Sequence, residues 1–169
     1  LSTDVHTHDT YFVVGHFHYI IFGGMGFGLF AALHYWFPKM FGKTYDFKFA
    51  TVSFIVLFVG FNLFYMTMLI LGWAGMPRRY YSYLPKYTDL QVIATVGSWI
   101  MVGGLGMMFG NLVHAFFRGK KAEANPWGGA TLEWQISSPP SFENFEKVPV
   151  ITHGPYVFAK EAKAGEKGK

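Results

Sequence analysis

The fold is decided by residues 11–37, YFVVGHFHYIIFGGMGFGLFAALHYWF, a run without a single acidic residue, lysine or arginine. Two further apolar runs follow at residues 49–73 and 90–117. Each run exceeds the roughly 20 residues that a helix needs to cross a hydrocarbon core of about 30 Å. A helix also pairs its own backbone groups, which cannot stay unpaired in lipid. The sequence therefore predicts an all-α membrane protein with three transmembrane helices.

The composition supports a membrane protein and restricts its chemistry. Of 169 residues, 51% are hydrophobic and only 14% are charged, whereas soluble domains carry about 25% charged residues. The absence of cysteine excludes disulfides, iron–sulfur clusters and thiolate metal sites, so any metal must be bound by other side chains. The net charge is +4, and the basic residues lie beside the apolar runs and in the tail, without interleaved aromatic residues. We therefore relate it to membrane orientation and expect no nucleic-acid partner.

The loops predict an orientation for the three helices. We expect Pro38 to end the first helix. Basic residues follow the first and third helices, which predicts that these ends face the cytoplasm; they are Lys39, Lys43, Lys48, Arg118, Lys120 and Lys121. Arg78 and Arg79 lie on the opposite side, against the rule, and therefore require an anionic partner.

The remaining segments carry weaker patterns. Residues 1–118 hold the membrane helices, and residues 119–169 are expected to form a cytoplasmic tail that is partly extended or disordered, because they show no sustained periodicity. No signal-peptide pattern precedes the first apolar run, which suggests that the chain continues a longer protein. Four glycines are expected to bring the first helix close to its neighbours; they are Gly23, Gly24, Gly26 and Gly28.

Two histidines, His16 and His18, lie inside the first apolar run, where ionisable side chains are costly and usually functional. Residues two apart on a helix differ by about 200°, so the two imidazoles point to opposite faces with Phe17 between them. They suit two separate metal centres better than one shared ion, and neutral imidazole is a suitable axial ligand for haem iron. Alternatively, both histidines hydrogen-bond to neighbouring helices or line a water cavity.

His8 and Asp9 lie at the outer end of the same helix. An adjacent imidazole and carboxylate can bind Mg²⁺ or Mn²⁺ if a partner supplies further oxygen ligands. The simpler interpretation is that Asp9 interacts with the positive end of the helix while His8 is solvated. The pattern by itself favours this second interpretation.

Two motifs resemble one family, the haem–copper oxidases. The run His8-Asp-Thr-Tyr-Phe-Val-Val-Gly-His-Phe-His-Tyr19 resembles the tenth transmembrane helix of their subunit I. Gly75-Met-Pro-Arg-Arg-Tyr80 resembles the haem-propionate loop between helices eleven and twelve, and the segment from Asn125 to Pro140 resembles bacterial members. The resemblance covers about the first 120 residues and implies that the three helices are part of a twelve-helix bundle.

The resemblance implies roles for the histidine pair. His16 would be the proximal ligand of the high-spin haem at the oxygen-reducing site, and His18 one axial ligand of the low-spin haem. Phe17 would lie between the two haems.

It also implies roles for the charged residues at the outer side. His8 and Asp9 would contribute to a Mg²⁺ or Mn²⁺ site shared with subunit II, and Asp4 would lie near a propionate of the high-spin haem. Arg78 and Arg79 would pair with haem propionates, because the planar guanidinium donates two parallel hydrogen bonds to a carboxylate.

The implied function is that of part of the catalytic subunit of a terminal respiratory oxidase, which passes electrons from cytochrome c to O₂, forms water and translocates protons. The copper at the binuclear centre would be bound by earlier helices, for which this chain holds no candidates. Partners would be the remainder of subunit I, subunit II, other oxidase subunits and lipid, in the bacterial plasma membrane in preference to the mitochondrial inner membrane.

Some alternatives remain open. A quinol oxidase or a nitric oxide reductase of the same superfamily shares much of this pattern, and a non-catalytic membrane subunit is a third alternative. Thr67-Met-Leu69 stands where many members have Pro-Gln-His, and Gly15 replaces a common alanine. These departures leave the subfamily in doubt and do not affect a ligand.

Overall fold

A computed structural model describes residues 2–145, 148–151 and 154. Its elements are α1 (Ser2–Thr7), α2 (Tyr11–Phe41), β1 (Lys43–Thr44), α3 (Phe47–Trp73), α4 (Thr88–Arg118) and β2 (Lys120–Lys121). Single 3₁₀ turns lie at Pro85–Tyr87 and Leu132–Trp134. Within the described residues, three helices are long and apolar enough to cross a membrane, which confirms the predicted class; they are Tyr11–Phe41, Phe47–Trp73 and Pro85–Arg118.

The start of each of the first two long helices is fixed by a side-chain cap. The Thr10 hydroxyl accepts a hydrogen bond from the Phe12 N–H at 3.2 Å, and the Asp46 carboxylate accepts one from the Phe49 N–H at 2.8 Å. Such caps satisfy backbone donors that the first helical turn leaves unpaired. Asp46 is held in place in turn by Asn111, whose amide donates to the Asp46 carbonyl at 2.9 Å.

The prediction that Pro38 ends the first helix was wrong, because α2 continues to Phe41. A proline so close to the end of a helix removes only one backbone hydrogen bond, and this cost is small beside the packing of its buried ring. The helix stops at Gly42, which has φ of 64° and donates its N–H to the Pro38 carbonyl at 2.9 Å. A glycine in the left-handed conformation is a common C-terminal stop.

The middle of α2, Tyr19–Gly26, is π-helical, a feature that the sequence analysis did not anticipate. Phe22 and Phe27 both pack against Phe61 of α3, with ring centroids 5.7 and 5.3 Å apart. Residues five apart differ by about 140° on an α-helix, whereas the wider π-turn places them on one face. The π segment therefore allows one side of α2 to present successive aromatic rings to α3.

The chain forms two compact units, and the first contains residues 1–31 and 46–112. Within it α3 packs antiparallel to both α2 and α4, around a buried cluster of five residues: Leu57, Phe61, Tyr65, Met101 and Met108. Glycines permit the closest approaches, since a Cβ at Gly72 would lie 1.8 Å from the Phe12 nitrogen, and one at Gly60 would lie 2.3 Å from the Met101 nitrogen.

The glycines singled out from the sequence contribute less to these contacts. A Cβ at Gly23 would lie 3.0 Å from the Phe61 ring, but one at Gly24 or Gly28 would meet nothing within 4 Å. A Cβ at Gly26 would meet only atoms of its own helix. Among these four glycines, the predicted close contact with a neighbouring helix of this chain is therefore confirmed at Gly23.

The second unit contains residues 32–45 and 113–169. In it β1 and β2 form a two-stranded antiparallel ribbon in which Lys43 pairs with Lys121. Part of the tail is packed, since Trp134 is 1% exposed and its indole N–H donates to the Tyr35 hydroxyl at 2.9 Å, whereas Phe142 and Val148 further along are 97% and 91% exposed. The predicted disordered end of the tail, residues 161–169, lies outside the described residues.

Candidate functional site

The histidine pair lies on the first, α-helical part of α2, where the structure gives the two side chains different surroundings. His16 is exposed in the isolated chain. His18 is half-buried and contacts Tyr65 of α3. Phe17, between them in sequence, is 38% exposed. The difference agrees with the 200° separation expected for residues two apart on a helix.

The imidazole of His18 is held by one hydrogen bond and two ring contacts. Its Nδ1 lies 2.8 Å from the carbonyl oxygen of Val14. Its ring stacks on Tyr65, with centroids 4.5 Å apart and planes 13° apart, and on Phe17, with centroids 4.3 Å apart and planes 30° apart. A carbonyl oxygen only accepts, so Nδ1 carries the proton, and in the neutral imidazole Nε2 keeps its lone pair.

This donor arrangement fits a metal ligand. Metal-binding histidines commonly donate the N–H of one nitrogen to a carbonyl or carboxylate, which orients the ring and makes the other nitrogen more basic. His18 meets this condition through Val14 alone. The residues present therefore fit an axial haem ligand at this position.

The other predicted residues meet where the start of α2 contacts the loop that follows α3. The backbone N–H of Arg78 donates to the Asp9 carbonyl at 3.0 Å, and that of Tyr11 donates to the Met76 carbonyl at 3.0 Å. Asp9 and Arg79 both adopt positive φ, of 55° and 67°. Backbone pairing thus places the two sequence motifs side by side, although about 60 residues separate them in the chain.

The anionic partner required by Arg78 is present in this chain. Asp9 Oδ1 accepts hydrogen bonds from Arg78 Nε at 2.7 Å and from Arg78 Nη2 at 2.6 Å. The sequence analysis had assigned Asp9 to a metal site and Arg78 to a haem propionate, and it did not foresee that the two would pair. Arg79 and Asp4 are exposed.

The charges around Asp9 determine its protonation. The hydrogen bond from Arg78 lowers the pKa of the Asp9 carboxyl below its ordinary value, and desolvation opposes this shift. The charges of Arg78, His8 and Arg79 also lower it. Asp9 is consequently an anion at neutral pH.

The geometry of His8 and Asp9 suits two ligands of one octahedral ion. His8 Nε2 lies 3.3 Å from Asp9 Oδ2, and adjacent ligands of Mg²⁺ at 2.0–2.1 Å are about 3 Å apart. No group of three or more His, Asp or Glu side chains occurs among the described residues that could hold a metal. Among the described residues, no third His, Asp or Glu side chain therefore joins His8 and Asp9 as a candidate ligand there.

Sequence reasoning missed two features of the structure. Tyr65 stacks on His18 although 47 positions separate them, and no local pattern reveals such a contact. Lys39, assigned only to membrane orientation, is 5% exposed and donates to the carbonyls of Ala124, Ile136 and Ser137 at 2.8, 2.8 and 3.3 Å. The sequence signal for the burial of Lys39 was weak, because it consisted only of a lysine within one turn of a helix end and of Trp134 far along the chain.

Comparison with known proteins identifies the family. The model of cytochrome c and quinol oxidase polypeptide I matches residues 1–114. The chain is 44% identical over 158 residues to cytochrome c oxidase subunit 1 of Thermostichus vulcanus, and 46% identical over 155 residues to that of Synechocystis sp.. It is 41% identical over 153 residues to that of Bacillus subtilis.

These matches cover most of this chain but a minor part of each relative. They span 94%, 92% and 89% of the chain, in the same order, and 29%, 28% and 25% of the relatives' lengths. The chain belongs to the cytochrome c and quinol oxidase polypeptide I family and corresponds to part of a subunit I. It is an integral membrane protein, since three of its described helices are long and apolar enough to cross a membrane.

Proposed function

We propose that this chain is the C-terminal part of the catalytic subunit of a terminal respiratory oxidase, helices ten to twelve, and that it supplies one axial ligand to each of two haems. The observation that carries the proposal is the His18 imidazole, whose Nδ1–H donates to Val14 while Nε2 keeps its lone pair. Membership of the family supports the assignment. The rest of subunit I, subunit II and further subunits would complete the enzyme.

His16 and His18 have separate tasks in this proposal. His18 would bind the low-spin haem, and its bond to Val14 would hold the ring in place and raise the basicity of Nε2. His16, on another face of α2, would bind the high-spin haem, with Phe17 between the two. The haems and the copper bound by other helices supply electron transfer from cytochrome c and the reduction of O₂ to water, coupled to proton translocation.

The charged residues at the start of α2 would act on the haem carboxylates and on a divalent ion. Arg79 and the remaining donors of Arg78 would pair with propionates, and Asp4 would lie near a propionate of the high-spin haem. His8 and Asp9 would bind Mg²⁺ or Mn²⁺ with oxygens from subunit II, since their ligand atoms are 3.3 Å apart. Arg78 would keep the Asp9 carboxylate ionised in this role.

The membrane placement follows the same proposal. The start of α2 and the loop with Arg78 would face the outside, and the ends of α2 and α4, with residues 119–169, would face the cytoplasm. The named relatives include bacterial proteins, which supports the bacterial plasma membrane.

Absorbance spectroscopy of the assembled oxidase tests the haem assignments. In reduced-minus-oxidised spectra, His18→Ala is expected to abolish the low-spin band, and with carbon monoxide His16→Ala is expected to abolish the response of the high-spin haem. His114→Ala, at an exposed histidine of α4, is the matched control and should leave both signals unchanged. A low-spin band that survives His18→Ala, or a carbon monoxide response that survives His16→Ala, would refute the corresponding assignment.

The electron donor requires a separate measurement. The named relatives are cytochrome c oxidases, so we expect oxygen consumption by the complex with reduced cytochrome c and none with a quinol alone. The opposite result would make the complex a quinol oxidase, and consumption of nitric oxide in place of oxygen would make it a nitric oxide reductase.

A further inference from the structure

Tyr65 of α3 stacks on the His18 imidazole. The two rings are nearly parallel, with planes 13° apart and centroids separated by 4.5 Å. Parallel stacking at this distance restricts how far either ring can tilt. The contact is distinct from the hydrogen bond to Val14, which restrains only the Nδ1 edge of the imidazole.

Tyr65 is itself firmly held. It is 5% exposed and packs against Phe61 and Phe64, with ring centroids 5.2 and 4.5 Å away. Gly15 allows its backbone to approach α2, because a Cβ at Gly15 would lie 2.9 Å from the Tyr65 carbonyl oxygen. The tyrosine ring is thus a fixed surface against which the imidazole lies.

We propose that Tyr65 is a positioning residue that determines the plane of the His18 imidazole at the low-spin haem. The inference rests on the proposed function of His18 as a ligand of that haem. Rotation about the Cβ–Cγ bond of histidine has broad energy minima, so the Val14 hydrogen bond leaves the ring some freedom to rock. The stack with Tyr65 removes that freedom.

The plane of an axial imidazole affects the electronic structure of the iron. Rotating the ring changes its overlap with the iron d orbitals, so the g-values of the oxidised low-spin haem report the ring orientation. Groups that orient a ligand are recognised determinants of metal-site properties. A contact that only stabilised the fold would leave the g-values unchanged.

The test uses electron paramagnetic resonance of the assembled oxidase in its oxidised state. Tyr65→Leu is expected to shift and broaden the low-spin g-values, with the haem retained. Tyr65→Phe keeps the stacked ring and should keep the wild-type g-values. Phe27→Leu is the matched control, because Phe27 packs around the same buried cluster and its ring contacts are with Phe22, Phe30, Phe54, Phe58 and Phe61.

If Tyr65→Leu prevents assembly, Gly15→Ala provides a second route to the same result. It removes no aromatic ring but pushes the Tyr65 backbone, and with it the Tyr65 ring, away from α2, so it should also shift the g-values. Unchanged g-values in the variant that assembles would overturn the role of Tyr65. A shift in Phe27→Leu or Tyr65→Phe as large as that in Tyr65→Leu would do so as well.

The proposed roles of Tyr65 and His18 can be refuted separately. If His18→Ala abolishes the low-spin signal while Tyr65→Leu leaves it unchanged, His18 remains the ligand and Tyr65 is merely structural. If the low-spin signal survives His18→Ala, the proposed function of His18 fails, and the role of Tyr65 fails with it.

Discussion

The first membrane helix carries two polar side chains whose surroundings differ sharply, His18 and Lys39. Lys39 is 5% exposed and donates to three backbone carbonyls, and its ammonium lies 5.2 Å from the centre of the Trp134 ring. His18 has one hydrogen bond, and this bond leaves a nitrogen lone pair for a further partner. The chain itself thus provides a complete set of partners for Lys39.

The comparison contrasts a polar residue whose partners all lie in this chain with one that keeps a lone pair for a further group. A buried ammonium that donates all three hydrogens to carbonyls stabilises the segment that provides them. A neutral imidazole that is oriented by a carbonyl and a stacked ring is arranged to bind a metal. A polar residue in an apolar helix therefore indicates function only when its own chain leaves part of its bonding capacity unused.

The largest effect is expected from Gly72→Ala, which would disturb the packing beside the histidine pair. The new Cβ would lie 1.8 Å from the Phe12 backbone nitrogen, so α2 and α3 must separate. We expect a loss of about 3 kcal/mol in stability and a strong decrease in assembled, haem-containing complex, measured by the low-spin absorbance per amount of chain. Gly28→Ala, where a Cβ meets nothing within 4 Å, should assemble normally, and equal losses in both variants would contradict this account.

A smaller effect, confined to the tail, is expected from Lys39→Met. The substitution leaves the carbonyls of Ala124, Ile136 and Ser137 without their donor, at a cost of about 2 kcal/mol. Limited proteolysis should cut residues 124–137 faster, while the haem spectrum stays unchanged. The exposed Lys48 provides the control, since Lys48→Met should be cut at the wild-type rate. A spectral change in Lys39→Met would place Lys39 with the functional residues.

The smallest effect concerns the protonation of Asp9. Because Arg78 lowers the Asp9 pKa below the ordinary 3.8, the pair stabilises the folded state above that pH, and this contribution is lost as the pH falls through the lowered pKa. Infrared difference spectra of wild type against Asp9→Asn should show a carboxylate band that persists below pH 3.8. In Arg78→Gln the band should disappear at a higher pH. The same midpoint in both proteins would show that Arg78 does not set the pKa.

Much of the architecture was predictable because it follows from local patterns. Long apolar runs predicted three helices, since length and hydropathy alone decide whether a helix can span a bilayer. The end of the first helix was not predicted, because Pro38 was a plausible stop and the true stop, Gly42, depends on a backbone conformation. The sequence did not show which glycines face a neighbouring helix of this chain, because contact depends on which side of α2 meets α3.

Some features of the candidate site were likewise predictable from the sequence, and others were not. Helical periodicity was sufficient to place His16 and His18 on different faces, and the charge pattern singled out Arg78 and Arg79, whereas the metal role of His8 and Asp9 came from the family resemblance. The pairing of Asp9 with Arg78 could not be predicted from chemistry alone, because each residue also suited another partner. The stack of Tyr65 on His18 depends on how closely two helices approach at Gly15.

The sequence by itself determined that this chain enters a membrane, that it carries an oxidase-like His16-Phe17-His18 motif, and that it contributes no cysteine ligand. These properties depend on composition and on spacing along one helix. Only the tertiary structure decided that Arg78 binds Asp9, that Tyr65 lies against His18 and that Lys39 donates hydrogen bonds to carbonyls of the tail. Such contacts join residues that are distant in sequence, and they form only where backbone pairing and close helix packing bring the side chains within a few ångströms.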